Sequence, residues 1–232
     1  MNTRIELDRA GFAVVPEAIE PSRVDELISA LAALGTSYGL RNLLRRCPAV
    51  RRLAHDLKPF VTPCLGERAF AVRGLLFDKL PGANWEVAWH QDLSIAVAER
   101  RAVPGFTGWS VKQGVPHVQP PAGILEQMLT VRVHLDDCSP ANGPLRVLPG
   151  SHQEGRLSDA AIERWKQRQP VQCWVGRGGL VLLRPLLLHA SSRAERPSHR
   201  RVIHLEYAFA PLPGGLRWYE EDAATAEDAV EG

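Results

Sequence analysis

In the run Trp89-His90-Gln91-Asp92 an imidazole and a carboxylate stand two residues apart. On extended backbone alternate side chains project to the same side, so His90 and Asp92 can grip one ion while Gln91 faces away. A third donor, His189, follows 97 residues after Asp92 at the end of the apolar stretch 180–188. Two histidines and one carboxylate occupy one face of an octahedral ion and leave three positions open. That arrangement suits Fe(II) when a bidentate co-substrate and O2 must both bind.

His-x-Asp alone is a weak signal, because it arises by chance in many chains, and its weight comes from its company. Arg200 stands 11 residues after His189 at the head of the strand expected over 202–209. A guanidinium fork takes a carboxylate bidentately, as an anchor for the far carboxylate of 2-oxoglutarate must. Ser191, two residues past His189, offers a hydroxyl to the same carboxylate. The neighbouring Arg201 leaves the choice of arginine open, since a slip of one residue turns a side chain to the opposite face.

Further polar residues depend on how their elements are turned. Leu129, Val131, Val133 and Leu135 alternate with Thr130, Arg132, His134 and Asp136, the pattern of a strand with one buried and one polar face. If the polar face looks inward, Thr130 and Arg132 touch co-substrate or substrate; if outward, they are solvated. Lys79, Asn84 and Trp85 precede the iron motif and can approach the co-substrate, although Asn84 more often marks a turn and Trp85 more often fills a core. His152, in Pro149-Gly150-Ser151-His152, reads as part of a tight turn.

The elements that must carry these groups fall into two textures. Val24, Leu27, Ile28, Leu31 and Leu34 recur at helical spacing after Pro21-Ser22, and Val50, Leu53, Ala54 and Leu57 do so after Pro48, so the N-terminal fifth is mainly helical. After residue 69 short apolar or alternating runs are separated by Pro, Gly and Asn. Strands are expected at 11–15, 74–80, 85–93, 129–136, 145–148, 179–183, 186–190 and 202–209. Eight strands suggest a double-sheet jelly roll, mainly β with flanking helices. Residues 96–127, which contain Trp109 and His117, show little periodicity and read as an irregular substrate cover. A short helix is expected over 158–168. Residues 1–219 read as one domain, and 220–232, acidic and alanine-rich, as a frayed tail.

Twenty-eight Lys plus Arg against 26 Asp plus Glu leave a formal charge of +2, which argues against nucleic acid or an anionic membrane as partner and for a small molecule. No apolar run approaches the roughly 20 residues of a membrane span. The N-terminal residues resemble neither a secretory signal nor a transit peptide. The four scattered cysteines, Cys47, Cys64, Cys138 and Cys173, read as free thiols, so a cytoplasmic enzyme, monomer or homodimer, is expected.

Together, His90-Gln91-Asp92, the run Asn142-Gly143-Pro144-Leu145-Arg146-Val147-Leu148-Pro149-Gly150-Ser151-His152, and His189 with Arg200 resemble the phytanoyl-CoA dioxygenase family. The resemblance runs from Gly11-Phe12 to about Trp218. It implies a double-stranded β-helix that uses Fe(II), 2-oxoglutarate and O2 to hydroxylate an unactivated carbon, with succinate and CO2 as co-products. It implies His90, Asp92 and His189 as iron ligands, Arg200 as the 2-oxoglutarate anchor, and Ser191 and Gln91 as neighbours of the site. Ala190 stands where many relatives have glycine. Retention of Asp92 favours hydroxylation over halogenation, because related halogenases replace that carboxylate with a small residue. Two rival readings are a metal-binding jelly roll without catalysis, acting as a sensor or interaction module, and a cupin-like Zn or Mn enzyme, which leaves Arg200 without a task.

Overall fold

The computed structural model describes residues 3–35 and 38–221. Helix α1 (Thr3–Ala10) leads into strand β1 (Phe12–Val15). Pro21 opens helix α2 (Pro21–Ala32), whose Val24, Leu27 and Leu31 make a buried stripe at three- and four-residue spacing. Strand β2 (Gly39–Arg41) is followed by α3 (Leu43–Arg46), α4 (Pro48–Asp56) and α5 (Lys58–Leu65), and α4 buries Val50, Leu53 and Ala54. The rest is β-rich. Strands β3 (Phe70–Asp78), β4 (Val87–His90), β5 (Ile95–Ala96), β6 (Thr107–Lys112) and β7 (Val115–Gln119) precede a short helix α6 (Ala122–Glu126). Then come β8 (Met128–His134), β9 (Leu145–Val147), helix α7 (Asp159–Trp165), β10 (Val171–Cys173), β11 (Leu180–Leu183), β12 (His189–Ser191) and β13 (Arg201–Ala208).

Antiparallel pairing builds a six-stranded sheet in the order β1-β11-β8-β13-β3-β2 and a four-stranded sheet in the order β10-β9-β12-β4. One face of the larger sheet, carrying Leu129, Val131, Val133, Ile203, Leu205 and Tyr207, packs on the N-terminal helices in the main core. The Tyr207 hydroxyl donates to the Ala54 carbonyl at 2.9 Å and pins α4 to the sheet. On the other face Val181 and Leu183 meet Leu145, Val147 and Cys173 of the smaller sheet. This is the double-stranded β-helix, and it answers the question left open by β8. All seven residues of β8 are buried, because helices cover one face and the second sheet covers the other. The polar residues Thr130, Arg132 and His134 therefore look into the barrel.

Two expectations are corrected. Residues 96–127 are not irregular: β5, β7 and β6 form a three-stranded sheet, with β6 and β7 joined through Gln113 and Gly114, both at positive φ as a tight two-residue hairpin turn requires. The segment escaped a periodicity reading because most of β6 is exposed and carries no alternating apolar pattern. The ordered chain also runs past 219. The Glu220 side chain is fully buried and its carboxylate accepts backbone N–H groups of Leu44, Arg45 and Gly74. A frayed tail cannot begin there, and residues 222–232 lie outside the described ones.

Candidate active site

Strand pairing brings distant residues of the sequence together. In the smaller sheet β12 lies antiparallel to β4 with His189 directly opposite His90, and the two imidazole centroids are 4.2 Å apart. Asp92 follows β4, its backbone N–H donating to the Pro185 carbonyl at 2.9 Å. Its carboxylate reaches both rings, with Oδ1 3.8 Å from His90 Nε2 and Oδ2 3.7 Å from His189 Nε2. One donor atom from each of the three residues lies within 4.8 Å of the others.

Backbone carbonyls fix the orientation of both imidazoles. Nδ1 of His90 lies 2.8 Å from the Ala88 carbonyl, and Nδ1 of His189 lies 2.8 Å from the Leu187 carbonyl. A carbonyl only accepts, so each Nδ1 carries a proton and each Nε2 is turned toward Asp92. Burial pushes His189 down to about 4, against the pull of Asp92, so its ring is neutral at pH 7. Burial pushes the Asp92 carboxyl up, but His189, His204 and His90 outweigh it and hold the group at about 2. Asp92 Oδ2 is buried without a hydrogen-bond partner. Two imidazoles of fixed orientation, that of His189 neutral, with an ionised carboxylate and an orphaned carboxylate oxygen are the donor set that a divalent cation completes, so the residues fit Fe(II).

Beside them is a cavity of about 210 Å³, below the roughly 300 Å³ at which pockets for drug-sized molecules begin. His90, Asp92 and His189 line it, and so do Ser191, Arg200, Arg132 and His204. Arg200 is the arginine that faces inward: it is 3% exposed, its Nη1 donates to the Gly143 carbonyl and its Nε has no partner. Arg201 is committed elsewhere, with Nε 2.9 Å and Nη2 2.7 Å from the two oxygens of Asp136. Ser191 Oγ accepts from Lys79 Nζ at 3.2 Å, which leaves its own hydroxyl proton for a ligand in the cavity.

The remaining candidates divide. Lys79 is fully buried behind Ser191, bonded also to the Ser192 carbonyl, and burial followed by Arg200 lowers its ammonium to about 8. It is a clamp on Ser191 and does not line the cavity. Thr130 faces the barrel with an unpartnered hydroxyl but likewise stays off the cavity wall. Gln91 points away: its Nε2 donates to the carbonyls of Gly155 and Leu186, and its Oε1 accepts from Leu157 N. It holds loops and does not touch the site, as the alternation of a strand demands. Asn84 exchanges two hydrogen bonds with the Ala194 backbone, whereas Trp85, for which both a core and a site position were open, lines the cavity.

His204 and Phe77 were missed, although a signal existed. Counting by twos along β13 from Arg200 gives Val202, His204 and Glu206, and the register sets His204 opposite Arg132 and Val202 opposite Phe77. His117, its Nδ1 2.9 Å from the Val115 carbonyl, and Trp109 lie outside the cavity.

Comparison with known proteins fits this geometry. The family model of phytanoyl-CoA dioxygenase (PhyH) matches residues 7–202. The chain belongs to the phytanoyl-CoA dioxygenase family. It is accordingly an enzyme of the non-haem iron class that uses Fe(II), 2-oxoglutarate and O2. No curated protein gives a significant match. Among solved structures, the non-haem alpha-ketoglutarate-dependent carbocyclase SnoK from nogalamycin biosynthesis superposes with a TM-score of 0.70 at 15% identity, over 90% of this chain and 83% of that one. AviO1 from Streptomyces viridochromogenes Tue57 superposes with a TM-score of 0.66 at 22% identity, over 91% and 94%. EctD from S. alaskensis, solved with 2-oxoglutarate and 5-hydroxyectoine, gives 0.68 at 20% identity over 88% and 74%. At these identities the likeness is one of fold. None of the described helices is long and apolar enough to cross a membrane.

Proposed function

We propose that His90, Asp92 and His189 hold the iron of this phytanoyl-CoA dioxygenase family member, and that it hydroxylates an unactivated carbon of a small organic substrate. The observation that carries the reading is the cluster of three donor atoms within 4.8 Å, with both histidine tautomers fixed by backbone carbonyls. Arg200, with the Ser191 hydroxyl, receives the C5 carboxylate of 2-oxoglutarate at the cavity wall. When bound, Fe(II) with 2-oxoglutarate and O2 supplies the oxidising power, and succinate and CO2 leave as co-products.

The chain's own groups bind, orient and exclude water. The imidazoles and Asp92 would hold the ion and leave positions free for ligands. The apolar walls, Phe77, Val87, Leu145 and Ala190, keep bulk water from the reacting centre and restrict which carbon of the substrate approaches. No basic side chain able to move a substrate proton is needed for hydroxylation, and on this reading the two imidazoles are taken up as ligands. The four cysteines are free thiols, which supports a reducing compartment such as the cytoplasm.

The test is anaerobic titration of the metal-free protein with Fe(II) and 2-oxoglutarate, followed by succinate assay in air. The wild type should develop a weak visible charge-transfer band and form succinate, and His189→Ala should do neither. Equal succinate from both proteins would overturn the ligand assignment.

A further inference from the structure

Arg132 carries a charge that no carboxylate of the described residues meets in a direct ion pair; Asp92, on the same cavity, acts on it only from a distance. Arg132 projects from β8 into the cavity, is 8% exposed, and its Nε has no partner. Its hydrogen bond is with His204: Nη1 lies 3.3 Å from Nδ1 of that ring. A guanidinium only donates, so His204 Nδ1 accepts and His204 Nε2 carries a proton toward Glu206 Oε1, 3.4 Å away. Glu206 is held in turn by Arg73 at 2.8 Å. The charge of Arg73 is matched by its own carboxylate, whereas Arg132 has a distant Asp92 and the Phe77 ring, 5.9 Å from its guanidinium carbon, and no carboxylate in contact. Burying a cation without a contacting anion is expensive, and retention of one at a cavity wall leaves room for an anion from outside the protein.

The register says where that anion lies. His204 stands opposite Arg132, four residues along the chain from Arg200, so the two arginines reach into the cavity from rows about 13 Å apart at roughly 3.3 Å per residue. His90, Asp92 and His189 come from the opposing sheet or the chain directly after it. The cavity is therefore lined by two buried guanidinium groups from different rows of the larger sheet. A keto diacid anchored at Arg200 would have its other carboxylate free to meet the ion and Arg132.

We propose that Arg132 receives the C1 carboxylate of 2-oxoglutarate, so that the co-substrate is held by a guanidinium at each end. This rests on the iron-site reading above. The burial of Arg132 on an inner strand, with Arg200 as its electrostatic neighbour, favours the carboxylate of a molecule already anchored at Arg200 over one carried by the substrate.

The experiment compares two keto acids. 2-Oxopentanoate keeps the keto group and C1 carboxylate of 2-oxoglutarate and lacks the C5 carboxylate. Binding of each to Mn(II)-loaded protein, without O2 and without substrate, is measured by calorimetry for the wild type, Arg200→Gln and Arg132→Gln. Arg200→Gln should weaken 2-oxoglutarate and leave 2-oxopentanoate unchanged. Arg132→Gln should weaken both by a similar factor of about 10 to 100, the scale of a lost charged hydrogen bond. Wild-type affinity of Arg132→Gln for 2-oxopentanoate would overturn the proposal, and would assign the arginine to a substrate anion. Mn(II) binding alone keeps the two readings apart: if the wild type fails to bind the metal the iron site is wrong, and if metal binding is intact only the Arg132 result counts. Arg132→Met serves as the folding control, because removing an unpaired buried charge should leave the metal-free melting temperature no lower. If the glutamine variant does not fold, the methionine variant carries the same titration.

Discussion

Gln91 lies between two of the proposed ligands and touches neither, which makes it a means of disturbing the metal centre from behind. Its Nε2 donates to Gly155 O at 2.8 Å and Leu186 O at 2.6 Å, and its Oε1 accepts from Leu157 N at 2.8 Å. One buried amide thus ties the end of β4 to the 155–157 turn and to the segment that leads into His189. Gln91→Leu keeps the volume and leaves two carbonyls and one N–H without these partners. Three bonds worth about 1 kcal/mol each set a floor of roughly 3 kcal/mol, and unsatisfied groups that water cannot reach add to it. For a domain of this size each kcal/mol lowers the melting temperature by about 2–4 °C, so a fall of about 6–12 °C is expected in the metal-free protein. Loosening of the strand that presents His90 and Asp92 should also weaken Mn(II) by about 10- to 100-fold, as loss of outer-shell support does. Circular-dichroism melts and a metal titration read the two effects. A variant that melts within about 2 °C of the wild type and binds Mn(II) equally well would refute the reasoning.

Three other outcomes follow from the structure. Burial first, then Arg132 and Arg200, push His134 down to about 3, so the folded state refuses a proton that the unfolded chain accepts below about 6.5. The associated stability is present above that pH and is lost as pH falls toward 3; between pH 7.5 and 5.0 the metal-free wild type should lose about 2 kcal/mol more than His134→Leu in urea unfolding, and parallel losses would contradict this. Burial pushes the Glu220 carboxyl up to about 7, so the comparison is made at about pH 8.5, where it is ionised: Glu220→Gln sets an amide NH2 against one of the backbone donors Leu44, Arg45 or Gly74 and should cost about 3 kcal/mol, whereas a change under about 0.5 kcal/mol would show that the contact does not hold the C-terminal segment. Arg201→Gln, which loses only the Asp136 pair, should bind 2-oxoglutarate as the wild type does while Arg200→Gln binds it weakly, and equal losses by calorimetry would mean the wrong arginine has been assigned to the cavity.

The sequence by itself determined what local periodicity and side-chain chemistry can determine. Alternation in 129–136, the proline-started helices at 21 and 48, and a His-x-Asp pair followed at a distance by His189 and Arg200 were enough for the jelly roll and the family, and they nominated the donor set proposed above. The inward turn of Arg200, and not Arg201, was undecidable until the pairing of Arg201 with Asp136 fixed the register of β13. Which face of β8 meets the helices and which the second sheet is a matter of layers, and a strand buried on both sides looks in sequence like one exposed on its polar side. The same holds for Glu220, whose partners lie 146 to 176 residues away in the chain, and for the unmatched charge on Arg132. Spacing specifies which side chains share a face; only closure of the barrel decides what that face encloses, because burial and pairing belong to contacts between segments that no local pattern records.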